Sequence, residues 1–173
     1  FYVMRGRKLP VSTLIPASEW LYDYYGKMGY ATVFDYTLEH YTILDKPVAD
    51  HFRVEAIREV GLLTDDLFNY FQSMMRLRPC CVQHEREDFE VIVESLRMDG
   101  GALIVVYSDK NIVGMAFAEP RGNHALVLDG MYNSEDVKRV ALWGVMKYLD
   151  MAEIYCRVLP YGKADEHRGM ARV

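Results

Sequence analysis

Cysteine and histidine residues are the first places to look for metal binding or covalent chemistry in this chain. Cys80 and Cys81 are adjacent and precede His84, whereas the third cysteine, Cys156, stands alone in an apolar stretch. A structural zinc ion needs four ligands, usually supplied as two spaced pairs, and no second pair is present. No Ser-His-Asp spacing stands out, and nothing suggests a covalent nucleophile. The sequence therefore predicts partly buried thiols and no metal site.

A helix start in the second half of the chain is the next candidate, because free N–H groups and the helix dipole can hold a phosphate there. The turn reads Met131-Tyr132-Asn133-Ser134-Glu135-Asp136, with no glycine inside it. Ser134 is a good N-cap residue, and the two acidic residues that follow would themselves satisfy the dipole and repel an anion. This turn is therefore expected to be an ordinary capped helix start.

Composition and charge exclude several classes of protein. The chain has 173 residues, enough for one domain or two small ones, and a net charge of -5. An acidic chain is a poor general nucleic-acid binder, since phosphate contacts need a basic face. Three cysteines do not make a disulfide framework, and no membrane-spanning or signal-peptide pattern is present, so a cytoplasmic location is expected. The chain begins at Phe1 without an initiator Met, which suggests a piece of a longer protein.

The elements that position these residues fall into two blocks. In the first block, Val11–Ile15 is a β-branched run that predicts a strand, and Ser18 is expected to cap the following helix. The helix is expected to end at Gly29, and Ala31–His40 alternates as another strand would. The turn Asp45-Lys46-Pro47 marks the boundary between the blocks.

The second block predicts a strand, two helices, three strands, a helix and a final strand. The expected ranges are, in chain order, 52–60, a helix capped by Thr64, 85–98, 102–107, 112–118, 124–132, 135–149 and 153–159, with an irregular tail from Pro160. The apolar side chains expected to face inward on the first two helices are Leu67, Phe68, Phe71, Met74, Met75, Phe89, Ile92, Val93 and Leu96. This order predicts an α+β fold whose mixed sheet is antiparallel first and parallel later, with helices on both faces.

The same order of elements resembles the fold of the GNAT (GCN5-related) N-acetyltransferases. A stronger resemblance lies in the first block, where Leu14-Ile15-Pro16-Ala17-Ser18 leads into a helix that ends Tyr25-Gly26-Lys27-Met28-Gly29-Tyr30. This looks like the GNAT segment in which a strand leads into a helix ending Tyr-x-Lys-x-Gly-Phe/Tyr. The resemblance implies a mixed, mostly antiparallel GNAT sheet flanked by helices.

The two blocks together are similar to the tandem-GNAT acetyltransferases of the "enhanced intracellular survival" type. In these proteins a catalytic GNAT unit is followed by a degenerate one and then by a sterol-carrier-like domain. Residues 1–50 would be the C-terminal part of the first unit, and residues 51–173 the second, degenerate unit. The final stretch Gly169–Val173 looks like the start of the third domain.

The resemblance implies that Tyr25 protonates the departing thiolate of CoA. A phenol pKa of ~10 suits a thiolate of comparable basicity. By the same resemblance, the strand before the helix lines the acyl and pantetheine channel and exposes backbone groups to it. The expected cofactor-binding residues are Thr13, Leu14, Ile15, Ala17 and Ser18. From spacing alone, Tyr25 is instead typical of a core residue with its hydroxyl at the edge, and this structural alternative stays open.

GNAT enzymes hold the CoA pyrophosphate with an Arg/Gln-x-x-Gly-x-Gly/Ala loop, and neither expected position has one. Before Val11, the sequence Arg5-Gly6-Arg7-Lys8 does not match, so the loop of the first unit is expected to lie outside this sequence. In the second unit, the helix start at Ser134 does not match either. The second unit is therefore expected not to bind CoA.

The sequence thus predicts an acyl-CoA-dependent N-acyltransferase that moves acetyl from the co-substrate acetyl-CoA to an amine. The chain would be a part of the enzyme and inactive alone, with the second unit as scaffold and one wall of the acceptor site. The acceptor would be a small-molecule or peptide amine, with no nucleic acid or membrane as partner, and the resemblance allows a homo-oligomer. The alternatives are a non-catalytic GNAT-like module for interaction or assembly, and an unrelated α+β binding domain.

Overall fold

The computed structural model describes residues 6–7, 10–33, 35–42, 51–78, 81–158, 166–167 and 169–172. The chain forms two compact lobes: lobe 1 comprises Phe1–Leu38 and Val158–Val173, and lobe 2 comprises Glu39–Arg157. The predicted boundary at residue 50 concerns two GNAT units and stays a prediction. The boundary between the two lobes does not fall at residue 50, because Val158–Val173 groups with Phe1–Leu38 in lobe 1.

Strands and helices follow one another along the chain much as the sequence predicts. The described elements are β1 (Ser12–Leu14), α1 (Trp20–Lys27), β2 (Ala31–Thr32), β3 (Asp35–Thr42), β4 (Phe52–Ile57), a 3-10 turn (Val60–Leu62), α2 (Asp65–Arg76), α3 (Arg86–Met98), β5 (Ala102–Ser108), β6 (Asn111–Arg121), β7 (His124–Tyr132), α4 (Glu135–Leu149), β8 (Glu153–Val158), β9 (Glu166–His167) and β10 (Met170–Arg172). The strand predicted over 52–60 ends early at Ile57, because the chain turns into the 3-10 segment.

Lobe 2 is built on a mixed sheet in the order β4-β5-β6-β7-β8, and β3 follows β8 in that order, with His40 of β3 stacked on Tyr155 of β8. Neighbours from β4 to β7 are antiparallel, whereas β7 and β8 are parallel and pair only at Ala125–Val127 with Ile154–Cys156. The predicted α+β fold with a mixed, mostly antiparallel sheet is therefore confirmed.

Helices cover both faces of this sheet. On one face, Gly144 of α4 lies against Val54 and Ile104 so closely that an added Cβ would clash with both. Because side chains alternate along a strand, the neighbours of Ile104 point to the opposite face. There Leu103 and Val105 join the apolar cluster formed with α2 and α3.

The predicted core of α2 and α3 is confirmed in position. The fully buried members are Leu67, Phe71, Met75, Phe89, Val93 and Leu96, and the partly buried ones are Phe68, Met74 and Ile92. The predicted caps are also confirmed in lobe 2: Thr64 Oγ1 accepts the Leu67 N–H at 3.4 Å, and Ser134 caps α4 in the same way. Local signals therefore place these helices correctly.

Lobe 1 contains a three-stranded sheet in the order β1-β10-β2, with β10 antiparallel to both neighbours. In addition, β9 pairs with Asp35 and Tyr36 of β3. The predicted irregular tail is therefore wrong for residues 166–167 and 170–172. Strand pairing uses backbone N–H and C=O groups that every residue except proline carries, so the polar composition of the tail did not prevent it.

Candidate active site

Helix α1 carries Tyr25, and its end is fixed by backbone hydrogen bonds and a cation. Gly29 takes a φ of 86°, as expected for the predicted residue at a helix end. The N–H groups of Met28 and Gly29 each donate to a carbonyl one turn back at 2.9 Å. The Arg172 guanidinium on β10 donates to the Met28 carbonyl, where a positive charge also complements the helix dipole. The end of α1 is thus tied to β10.

The start of α1 differs from the prediction. The helix begins at Trp20 after Glu19, and the Glu19 side chain does not cap it. Ser18 instead contributes its backbone carbonyl, which accepts the Leu21 N–H at 3.0 Å. The predicted Ser18 side-chain cap is wrong because Glu19 already adopts helical angles, so Ser18 carries the first carbonyl rather than the capping hydroxyl.

The Tyr25 ring is half-buried between two other tyrosines. Its centroid lies 5.3 Å from that of Tyr24 and 5.8 Å from that of Tyr30, both in edge-to-face contact. Within the described part of the chain, no hydrogen bond involves its hydroxyl. Packing against the two neighbouring tyrosines therefore holds the ring, and the role of the hydroxyl as proton donor stays a prediction.

The residues predicted to line the cofactor channel lie on β1 or directly after it. Leu14 is half-buried, whereas the other four are exposed, with Ile15 at 66%. Strand β1 is at one end of its sheet, so among the described residues the backbone groups on its outer side have no strand partner. Such an open edge can bind an extended amide chain by main-chain hydrogen bonds. The binding role of Thr13, Leu14, Ile15, Ala17 and Ser18 stays a prediction.

Ser12 and Tyr30 make a contact that sequence reasoning missed. Ser12 Oγ and Tyr30 Oη are 2.7 Å apart, and either can be the donor. The pair joins positions 18 residues apart, so no local spacing announces it. The sequence signal that could have indicated this contact is Tyr30 itself. The GNAT-like motif accepts Phe or Tyr at this position, and only Tyr carries a hydroxyl that can form a hydrogen bond.

In lobe 2, the start of α4 does not fit a pyrophosphate. Ser134 Oγ accepts the Val137 N–H at 3.3 Å, which occupies one of the donors that an anion would need. Glu135 and Asp136 are exposed in the first turn and would repel a negative ligand. The residues present therefore satisfy the helix start by themselves.

Gly130, the nearest glycine to that helix start, has a packing role. A Cβ at this position would overlap the ring and hydroxyl of Tyr132. The absence of a side chain thus makes room for an aromatic ring of the same strand rather than for a phosphate. Burial raises the pKa of the Tyr132 phenol well above its ordinary value.

Lys138, in the first turns of α4, is committed to an internal ion pair. Its ammonium donates to Glu39 Oε2 at 2.7 Å, and the Tyr41 hydroxyl donates to the same oxygen at 2.7 Å. Burial alone would raise the pKa of Glu39, but the bonds from Lys138 and Tyr41 outweigh it and lower that pKa. Burial alone would lower the pKa of Lys138, yet the bonds to Glu39 and Tyr41 raise it. Lys138 is therefore engaged within lobe 2 and not placed to hold a phosphate.

Replacing Lys138 with Ala is expected to destabilise lobe 2 by about 2 kcal/mol at neutral pH, because it leaves a mostly buried carboxylate without its cation. The Lys138 and Glu39 side chains are only 13% and 29% exposed. The pKa of Glu39 is lowered in the folded state, so its contribution is present above its ordinary pKa of 4.5 and is lost as the pH falls through the lower folded value. Urea unfolding at pH 7 and at pH 3 measures this difference.

The exposed neighbour Arg139 supplies the matched control, since Arg139→Ala removes a cation that lies on the solvent side of the same helix. It is expected to change the unfolding free energy by less than about 0.5 kcal/mol. An equal loss in both variants, or a Lys138→Ala effect that does not shrink at pH 3, would contradict the role given to this ion pair.

Thiol and metal chemistry find no support in the described part of the chain. Burial raises the pKa of the Cys156 thiol to about 12, and burial also raises that of Cys81. Both thiols are therefore protonated near neutral pH. Among the described residues, no three His, Cys, Asp or Glu side chains are grouped as metal ligands, and Cys80 lies outside those residues. No described helix is both long and apolar enough to cross a membrane.

Comparison with known proteins finds likeness in structure. No protein-family model and no curated protein sequence matches this chain. A GCN5-related N-acetyltransferase from Anabaena variabilis matches with a TM-score of 0.67 and 12% identity, over 99% of this chain and 48% of that one. A probable N-acyltransferase from Enterococcus faecalis matches with a TM-score of 0.66 and 12% identity, over 99% and 47%. Eis1 from Mycobacterium abscessus matches with a TM-score of 0.57 and 11% identity, over 99% and 49%.

These likenesses show that the chain has the GNAT fold. The resemblance to GNAT proteins is thereby confirmed for the fold. The chain spans about half the length of the solved structures that it matches.

Proposed function

We propose that this chain is part of an acyl-CoA-dependent N-acyltransferase that transfers acetyl from acetyl-CoA to an amine. The observation that carries the proposal is the Tyr25 phenol, which is half-buried but not hydrogen-bonded within the described residues, on the helix that follows an open-edged strand of a GNAT fold. The names of the similar structures, N-acetyltransferase and probable N-acyltransferase, support the same reaction. The resemblance to tandem-GNAT acetyltransferases, together with the chain's span of about half of the matched structures, supports a tandem arrangement of GNAT units.

Tyr25 would act at the step in which the thioester breaks. The amine nitrogen attacks the thioester carbonyl carbon, a C–N bond forms, and the C–S bond breaks with its electron pair leaving on sulfur. The Tyr25 hydroxyl gives its proton to that sulfur, so CoA leaves as a thiol rather than a thiolate. The nitrogen loses one proton, directly or through water, to the phenolate, and the phenol is restored. The acetyl group ends on the amine as an amide.

Strand β1 would hold the extended part of the co-substrate. Its outer edge has no strand partner among the described residues, and pantetheine carries amide groups that can pair with backbone N–H and C=O groups. Exposed Thr13 and Ile15 flank that edge. Backbone donors on such a strand would also polarise the thioester carbonyl as charge develops on its oxygen.

Lobe 2 would serve as scaffold. Its α4 helix start is satisfied by Ser134 and two acidic residues, and Lys138 is paired with Glu39, so this helix start offers no pyrophosphate cradle. The same observation favours a second candidate function, a non-catalytic GNAT-like module for interaction or assembly. The two are separated by assaying the full-length gene product for acetyl-CoA-dependent acylation of spermidine, a lysine-containing peptide and glucosamine.

The chain of residues 1–173 alone is expected to show no measurable affinity for acetyl-CoA. The helix start of α4 does not fit a pyrophosphate, and Arg5-Gly6-Arg7-Lys8 does not match the GNAT loop. Isothermal titration calorimetry with acetyl-CoA up to about 1 mM, the upper end of ordinary KM values, is the measurement. The full-length gene product should give a saturable heat under the same conditions. Saturable binding by the chain alone would overturn the interpretation of α4.

A further inference from the structure

A continuous set of contacts links strand β1 to the Tyr25 ring within lobe 1. Ser12 Oγ on β1 lies 2.7 Å from Tyr30 Oη, and the Tyr30 ring lies edge-to-face against the Tyr25 ring at 5.8 Å and 63°. The Tyr25 ring also meets the Tyr24 ring edge-to-face at 5.3 Å and 75°. A ring held by two edge-to-face contacts has less freedom to tilt than a ring held by one.

Tyr30 is itself anchored at both of its ends. Its backbone N–H donates to the Tyr25 carbonyl at 3.2 Å, which fixes the position of the Tyr30 backbone. Its hydroxyl bonds Ser12, whose strand is held in turn by antiparallel pairing with β10. The Tyr30 ring therefore has a fixed direction, and it transmits the position of β1 to Tyr25.

We infer that Ser12 and Tyr30 are positioning residues that set the Tyr25 phenol relative to β1. The inference rests on the proposed function, in which β1 holds the thioester and Tyr25 gives its proton to the sulfur. A proton donor must lie within hydrogen-bond reach of its acceptor, and a misplacement of about 1 Å can cost about 100-fold in rate. The hydrogen bond between Ser12 and Tyr30 would set the distance from the Tyr25 hydroxyl to the thioester sulfur, although neither residue contacts the substrate.

Single and double variants of the full-length gene product test this role. Ser12→Ala and Tyr30→Phe each remove one hydroxyl of the hydrogen bond. Both should retain the backbone fold, and Tyr30→Phe also retains the aromatic ring. Each is expected to lower kcat about 10-fold, less than the loss for a full ångström of misplacement. The KM for acetyl-CoA should change less than about 2-fold, and the double variant should be no slower than either single one. CoA thiol release with the best amine of the panel is the readout.

A second cycle shows whether the two residues act through Tyr25. In a Tyr25→Phe background there is no phenol proton left to position, so adding Ser12→Ala should change kcat by less than about 2-fold. Ser12→Thr keeps a hydroxyl on Cβ and is expected to restore most of the lost kcat. Thr32→Val is the control, because it removes an exposed hydroxyl from β2 of the same lobe. It should leave kcat and the melting temperature unchanged.

Three results would overturn the inference, and they are distinguishable. Unchanged kcat in both Ser12→Ala and Tyr30→Phe would show that the hydrogen bond between these residues does not position the Tyr25 phenol for turnover. An equal loss in the wild-type and Tyr25→Phe backgrounds, or a loss that follows a lowered melting temperature and is not rescued by Ser12→Thr, would show a general structural effect. Wild-type turnover in Tyr25→Phe itself would remove the proton donor, and with it the proposed function on which the inference rests.

Discussion

A Tyr25→Phe variant of the full-length gene product is expected to lose about 100-fold or more in kcat, because general acid catalysis contributes about 10²–10⁴-fold. The substitution removes the proton that the leaving sulfur needs and retains the ring that packs against Tyr24 and Tyr30. Its hydroxyl makes no hydrogen bond within the described residues, so the melting temperature should change by no more than about 1–2 °C. Loss of rate without loss of stability is the expected signature.

A phenol with a structural role gives the opposite pattern and serves as the control. The Tyr148 hydroxyl in lobe 2 donates to the Val54 carbonyl at 3.1 Å. Tyr148→Phe is therefore expected to cost about 1 kcal/mol of stability and to leave kcat nearly unchanged. Thiol release from acetyl-CoA and thermal unfolding are measured on both variants. Unchanged kcat in Tyr25→Phe would exclude this residue as the proton donor.

The second block was predictable because its signals are local. Ser134 followed by two acidic residues and an apolar periodicity indicates a helix start, and α4 indeed spans Glu135–Leu149 with Ser134 as its cap. The turn at Asp109, which takes a positive φ of 54°, joins two β-rich runs as the sequence suggests. Where a few neighbouring residues determine the structure, sequence reasoning needs no knowledge of the rest of the chain.

The first block shows where local signals end. Strand β10 lies between β1 and β2, so the sheet around the candidate site needs residues about 140 to 160 positions away in the sequence. The ion pair of Glu39 with Lys138 spans 99 residues, and the Ser12–Tyr30 bond joins two polar side chains with no shared motif. Each contact depends on which strands become neighbours, and periodicity does not encode that choice.

Tyr25 lies between these two cases. Spacing alone favours a core tyrosine, and its half-buried ring does pack against other tyrosines. The GNAT-like motif adds what spacing cannot, a reason for the hydroxyl to face a substrate. The structure fits both interpretations, because the ring is packed while the oxygen has no hydrogen bond to the described residues, and the catalytic role stays a prediction.

The largest expected effect on stability belongs to Phe89, at the centre of the apolar cluster between α2, α3 and the sheet. Its side chain is 0% exposed. Its ring stacks on Phe71 at 4.8 Å and meets Phe117 edge-to-face at 6.2 Å. Phe89→Ala is expected to cost about 3–4 kcal/mol, because it loses the buried ring area and leaves a cavity whose walls are fixed by a helix on one side and β6 on the other.

The measurement is urea unfolding of lobe 2 followed by a single fluorophore. The chain has two tryptophans, so a Trp20→Phe background leaves Trp143 on α4 as the sole reporter of lobe 2. In that background Phe89→Ala should lower the unfolding midpoint with little change in slope, since the surface exposed on unfolding is nearly the same. Val91→Ala, two residues along the same helix but 68% exposed, should stay within about 0.5 kcal/mol of the parent. Similar losses in both variants would mean that α3 buries a different face than the one that packs Phe89 against Phe71.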